Sequence, residues 1–441
     1  MNFIFISPNF PKSYWNFCDR LKKRGVNVLG IGDAPYDELP FSLKNSLTEY
    51  YRVENLAHYD EMFRAVAFFS FRYGKIDWLE SNNEYWLAQD ARLRTDFNIT
   101  TGVQNDFIHR IQSKYAMKES YRKAGVPVAR CHMVTRNRKA SEAFISEVGW
   151  PVIVKPDRGC GAEATYKLTD GAGLDEFYRH YPAVPYIMEE FISGSIVSFD
   201  GVAGADCVPV FYTSNEFPTP ILDIVAQSGD LHYWTVPVVD EKLRDVGFRT
   251  IAAFGAKCRF FHCEFFRLDQ DKPGLGKKGD YVALEVNMRP AGGYTPDMIN
   301  YANSADCYGI WADMITGRAP EAQPALPHYF CVYAARRDGK DYRWSHNDIL
   351  GRYGRAIVMA DRMPKALSLD MGDQMYTACF ETAAEKDAFI AYVQELAPAA
   401  PPPQAPRTRR TARNAPAKKT ASAEPAEIQT PKNSKRRERA K

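Results

Sequence analysis

The chain has 441 residues, 45% of them apolar and 25% charged, with 57 Lys/Arg against 54 Asp/Glu. That balance is ordinary for globular proteins, and the length suffices for about two to four domains with sizeable cores. No run of about eighteen apolar residues occurs, so a helical membrane span is excluded, and nine cysteines without paired spacing fit reduced thiols in a cytoplasm rather than a disulfide framework.

The first hundred residues alternate strand and helix patterns. Asn2–Ser7 has the apolar run of a first strand rather than the basic start and cleavage site of a signal peptide. Tyr14–Arg24 follows as an amphipathic helix, Val26–Ile31 as a second strand, Tyr59–Tyr73 as a helix and Ile76–Glu80 as a third strand. This rhythm predicts a parallel sheet with crossover helices. Ser7-Pro8-Asn9-Phe10 stands where a dinucleotide-binding domain carries its glycines, so a nicotinamide or flavin site is not expected. Residues 113–125 predict a helix capped by Ser113 and closed by Gly125, with Lys114 and Lys118 one turn apart; Lys118 has the position of a solvated lysine.

A strand at Pro151–Lys155 runs into Pro156-Asp157-Arg158-Gly159-Cys160-Gly161-Ala162 and returns at Ala164–Leu168. That pattern is a hairpin whose tip can close over a ligand. Glycine tolerates the φ values that bring backbone N–H groups up to phosphate oxygens, which singles out Gly159 and Gly161. Strands at Tyr186–Phe191 and Ile196–Val202 and a helix at Asp240–Lys257 lead to two acidic strands, and a helix from Ser304 to Thr316 follows them.

The two acidic strands carry the chemistry. Phe261–Phe266 holds Glu264, and Ala283–Pro290 holds Glu285, Asn287 and Arg289. Strand side chains alternate, so Glu285, Asn287 and Arg289 share one face while Val282, Leu284 and Val286 supply the opposite, buried one. Two carboxylates, an amide oxygen and a guanidinium suit Mg²⁺ carrying a phosphate: hard oxygen ligands for the metal and an arginine for the anion.

Taken in order, these segments resemble the ATP-grasp superfamily, over most of residues 1–320. The motifs are the helix lysine ahead of a GVPV turn (Lys114 in SKYAMKESYRKAGVPV) and the strand-end lysine before a glycine loop (Lys155 in GWPVIVKPDRGCGA). The hinge Glu189-Glu190-Phe191-Ile192-Ser193-Gly194 and the E-x-N-x-R strand complete the set. The resemblance implies a mixed α/β and α+β architecture: a Rossmann-like pre-ATP-grasp domain (1–105) and a two-lobed ATP-grasp domain (106–320, its lid lobe about 126–192). A small C-terminal α+β segment (321–396) and a disordered basic tail (397–441) would follow.

It also implies ATP with two Mg²⁺ ions, or Mn²⁺ in their place. Lys114, Lys155, Gly159 and Gly161 would serve the phosphates, and Glu189, Glu190 and Ile192 the adenine side. Glu264, Glu285 and Asn287 would hold the metal, with Arg289 and Lys155 at the transferred phosphoryl group. The implied reaction activates a carboxylate as an acyl phosphate for attack by an amine, with amino acids as the implied substrates and a homodimer common among relatives. Bicarbonate activation and a non-catalytic ATP-binding module remain alternatives. The chain departs from the pattern at Ile196, where many relatives carry a ribose-binding acid; Ser198 or Asp200 is left for that task.

Other signals carry less. Gly274-Leu275-Gly276-Lys277-Lys278-Gly279 matches a dinucleotide fingerprint but lies between two strands, as a hairpin loop. His262 and His232 fit packing or surface positions better than catalytic bases, and Asp223 and Trp234 are candidates for an acceptor site. From Ala397 onward the chain holds 12 Lys/Arg and three Glu, leaving 45 basic against 51 acidic residues before it. A basic tail of this kind meets nucleic acid or an acidic partner, or serves only as a solubilising extension.

Overall fold

The structure is a computed structural model that describes residues 1–159, 164–219, 224, 228–319 and 328–398. Three sheets organise it. The first is a four-stranded parallel sheet of β1 (Asn2–Ile6), β2 (Asn27–Gly32), β3 (Glu49–Arg52) and β4 (Trp78–Glu80), in the order β3-β2-β1-β4. Its apolar strands are covered by the helices Trp15–Lys23 and Tyr59–Tyr73, whose buried residues include Phe17, Leu21, Met62, Val66 and Phe69. The sequence predicted three strands here; β3 is a four-residue strand at the sheet margin, too short and too polar to show a period.

The second sheet is antiparallel: β5 (Cys131–Val134), β6 (Val152–Pro156), β7 (Tyr166–Leu168) and β8 (Tyr186–Glu190), ordered β5-β8-β6-β7. The third has nine strands. Along its path run β14 (Tyr281–Asn287), β13 (Arg259–Leu268), β9 (Gly194–Ala203), β11 (Asn215–Phe217), β12 (His232–Thr235), β15 (Phe330–Arg336), β17 (Gln374–Phe380) and β16 (Ile357–Arg362), with β10 (Pro209–Thr213) paired to β9. The C-terminal strands therefore extend the central sheet through the β12–β15 pairing.

The helix predicted at 304–316 is present as Cys307–Thr316, and a further helix that the sequence did not signal, Thr295–Asn303, precedes it. Ser304 turns between them in a left-handed conformation (φ 49°), and Pro296 begins the first at a position where its missing N–H costs nothing. Capping follows composition elsewhere: Ser113 accepts from Ala116 N at 3.1 Å, and Asp240 accepts from Lys242 and Leu243. Met1–Ala397 form one unit and Pro398–Lys441 another; the basic tail beyond Pro398 lies outside the described residues. Among the described residues no helix is long and apolar enough to cross a membrane.

Candidate active site

One irregularity sets the face of the site. On β13 and β14, Glu264 pairs with Glu285 and His262 with Asn287, but Phe265 pairs with Ala283, which leaves Leu284 as the extra residue of a β-bulge. Beyond the bulge the alternation changes phase. Val282 opposes Phe266 on the Glu264 side, whereas Ala283 and Val286 face the core with Phe265 and Cys263. The expectation that Val282, Leu284 and Val286 form one buried face is thus corrected: Val282 lines the same side as Glu264.

Glu264 and Glu285 stand side by side. Burial pushes the Glu285 carboxyl up, with Lys114 opposing and Glu264 adding to the rise. Burial also acts upward on Glu264, but His262, Arg289 and Lys155 outweigh it and its net shift is downward. Asn287 Oδ1 accepts from Arg289 Nη2 at 3.3 Å, and Arg289 Nε reaches Glu84 Oε2 at 3.3 Å. Among the described residues no three His, Cys, Asp or Glu side chains gather into a self-sufficient metal site. Two carboxylates and an amide oxygen are the hard donor set that Mg²⁺ completes with phosphate oxygens and water, so the residues fit that ion.

The lysines converge on the same region from the other side. Lys114 Nζ donates to Gly159 O at 2.6 Å and lies 3.5 Å from Glu285 Oε1. Asp157 fixes this corner: its Oδ1 accepts from Ser113 Oγ at 3.0 Å and Tyr115 N at 2.9 Å, and its carbonyl accepts from Lys114 N. Lys155 Nζ pairs with Glu189 Oε2 at 2.7 Å, and Lys118 Nζ with Glu189 Oε1 at 2.5 Å. Burial alone would raise the Glu189 carboxyl, but the two ammoniums hold it down at about 2. Lys118 is 1% exposed, so the solvated-lysine expectation is corrected. Its one-turn spacing from Lys114 was legible; the buried acid it meets on β8 was not.

Glu190 turns away from this group. Its carboxylate accepts from Arg130 N at 2.7 Å and Arg130 Nη2 at 2.9 Å. The hairpin loop with the decoy glycines braces the hinge, because Lys272 Nζ donates to Phe191 O at 2.9 Å. Ile192 packs with Ala129, Leu268, Val282 and Phe266 into a small apolar cluster. Gly161, Cys160, Ala162 and Asp223 lie outside the described residues.

Three further residues need revision. His262 is buried, its Nδ1 2.5 Å from Asp200 Oδ1 and its Nε2 3.4 Å from Glu264 Oε1. Burial lowers its pKa, but the two carboxylates prevail and carry it up to about 9. It therefore sits on the polar face as a charged partner, neither an apolar packing residue nor a surface one. Asp200 is committed to that ring and to Ser198 Oγ and Asn215 Nδ2, which takes both of its oxygens. Trp234 pairs with Glu216, which pairs with Val197, itself opposite Phe265. That puts Trp234 on the sheet face opposite Glu264, with the Lys386 ammonium 3.7 Å over its ring, and not beside the acids.

The parallel sheet anchors the far end of the site. Arg259 donates to Met288 O through Nε at 3.0 Å and Nη2 at 2.8 Å, and meets Glu80 at 3.4 Å. Glu80, at the end of β4, also pairs with the buried Arg94 at 2.8 Å. This buried lattice holds the residue before Arg289 against β4. Asp90 completes the support: its Oδ2 accepts from Ser81 N and Oγ, and burial followed by the Glu80 charge pushes its carboxyl up to about 7.

Comparison with known proteins bears on the fold. The ATP-grasp domain family matches residues 111–220. The structure is similar to an L-amino acid ligase from Bacillus licheniformis (TM-score 0.65, 13% identity), covering 88% of this chain and 95% of that one. It is similar to N5-carboxyaminoimidazole synthetase from Staphylococcus aureus in complex with ADP (TM-score 0.65, 15% identity, 88% and 96% covered). Biotin carboxylase from Campylobacter jejuni is comparable (TM-score 0.62, 14% identity, 90% and 91% covered). No curated protein sequence matches. Residues 111–220 thus match the ATP-grasp domain, and the chain shares the fold of these enzymes over most of its length.

Proposed function

We propose that the protein is an ATP-dependent ligase that activates a carboxylate as an acyl phosphate and passes the acyl group to an amine. The observation that carries this reading is the Glu264–Glu285 pair flanked by Asn287, Arg289 and Lys114. A free carboxylate resists attack because its leaving group would be oxide; phosphorylation by ATP supplies a good one. Lys114 and Lys155 would hold the nucleotide phosphates as point charges, and Arg289 would face the charge that develops on the moving phosphoryl group. Mg²⁺ held by Glu264, Glu285 and Asn287 would neutralise phosphate charge. The apolar group around Ile192 would receive the adenine ring beside Glu189.

The structural likeness to biotin carboxylase supports a second reading, bicarbonate as the activated acid. Isotope transfer decides between them. With ¹⁸O in an organic carboxylate, the ligase reading predicts label in the released phosphate. Bicarbonate-dependent ADP release without such transfer supports the second reading and overturns the first.

A further inference from the structure

Four strands along the sheet from β13, the antiparallel neighbours β15 and β17 each carry a cysteine at the same level. Their register makes Cys331 and Cys379 direct Cα partners, and both thiols are free. The flanking strands decide which kind of pair they form. Cys379 N donates to Ala356 O at 3.0 Å, so its peptide groups point away from β15, toward β16. On β15, Ala335 N donates to Leu231 O at 2.9 Å. Cys331 has the same strand parity as Ala335, so its peptide groups also point toward β12, where Thr235 is its Cα partner.

Cys331 and Cys379 therefore exchange no backbone hydrogen bonds. They form the closer of the two antiparallel pair types, with Cα atoms about 4.5 Å apart and side chains on one face. A disulfide needs Cα atoms about 4.4–6.8 Å apart with the Cβ atoms facing each other. This pair meets that requirement without moving either strand.

The two sulfurs differ in their surroundings. Cys331 is buried with Tyr233, Met298, Ala302, Tyr333 and Met375, whereas Cys379 is half-buried at the margin of that cluster. Tyr301, on the covering helix Thr295–Asn303, is 39% exposed and lies within the field of both sulfurs. Burial drives the Cys331 thiol up, and its contact with Cys379 adds to the rise. The hydrogen bond from Cys331 draws the Cys379 thiol down. The thiolate is the nucleophile, so Cys379 is the sulfur equipped to react first. An accessible thiol of lowered pKa beside a second thiol is the arrangement of a redox-sensing pair.

We propose that Cys331 and Cys379 are a reversible oxidation site, closed by a peroxide into a disulfide between β15 and β17. The Cys379 thiolate attacks one peroxide oxygen, a sulfur–oxygen bond forms, and the oxygen–oxygen bond breaks. The leaving oxygen departs with the electron pair and takes up a proton. Cys331 sulfur then attacks the Cys379 sulfenic acid, the sulfur–oxygen bond breaks, and the departing hydroxide leaves as water with the Cys331 thiol proton. Two thiols have given up two electrons and two protons, and the peroxide is reduced. A dithiol reductant reverses the change by exchange. In a reducing compartment, such a disulfide is transient and serves sensing rather than folding.

The test is titration of the reduced full chain with hydrogen peroxide, alkylation of the remaining thiols and peptide mapping by mass spectrometry. The peptides holding Cys331 and Cys379 should become linked, both should lose alkylation together, and dithiothreitol should restore it. Cys331→Ser should leave Cys379 as a sulfenic acid that dimedone traps, and Cys379→Ser should leave Cys331 a free thiol. Two thiols that stay alkylatable at peroxide levels that oxidise glutathione overturn the proposal, and this reading needs only the natural chain. So does preferential closure of Cys207 with Cys258, whose N–H groups both donate to Gly204 O at 3.2 Å and whose thiols burial pushes up.

Discussion

Glu264 and Glu285 oppose each other across two antiparallel strands because Leu284, the extra residue of a bulge, brings Glu285 onto the Glu264 face. Like charges directly opposite one another in a sheet are destabilising, so the pair marks a place where a cation is wanted. Replacing either by glutamine keeps size and hydrogen bonding while removing a charge. Glu264→Gln and Glu285→Gln should each lower ATP turnover by about 10²–10³-fold, with unchanged circular dichroism. Normal turnover in both variants would exclude these acids from the chemistry.

The buried Lys118–Glu189–Lys155 group makes a prediction about stability. Glu189→Gln removes the carboxylate that pairs with both buried ammoniums and should cost about 3–5 kcal/mol in urea unfolding. Lys118→Met leaves Glu189 with Lys155 and should cost clearly less. An equal or larger loss in Lys118→Met would contradict the charge balance described here.

That same acid sets a pH window. The folded Glu189 carboxyl is held at about 2, below its ordinary 4.5. A depressed carboxylate contributes its full stability above the unfolded value and loses it as pH falls toward the folded one. The stability gap between the natural chain and Glu189→Gln should therefore be constant above about pH 5 and narrow between about pH 4.5 and 2. A gap that persists unchanged down to the lower limit would refute the assigned shift.

The tail carries 12 Lys/Arg against three Glu from Ala397 onward. Removing residues 399–441 should leave ATP turnover unaltered and abolish salt-sensitive binding to single-stranded DNA or heparin. Polyanion binding that survives the truncation would assign it to the folded part.

Much of this was visible in the order of segments. Lys114, Lys155, the hinge acids and the two acidic strands stand in the sequence at separations that a single fold brings together, and that fold is the one observed. What stayed hidden has physical reasons. A bulge leaves no mark in an apolar period, so strict alternation put Val282 on the wrong face. Lys118 has the spacing of an exposed helix residue, and only the position of β8 shows that it meets Glu189. His262 lies in an apolar strand, and its charge depends on Asp200 from β9, far away in sequence. The helix Thr295–Asn303 follows Gly292-Gly293, whose composition signals a loop.

The most direct test is hydroxylamine trapping, with ATP, Mg²⁺ and pooled amino and organic acids. The account predicts a hydroxamate that forms with the natural chain and is lost in Glu285→Gln, and subdividing the pool would then name the acid. ADP released from the natural chain without any hydroxamate would contradict carboxylate activation.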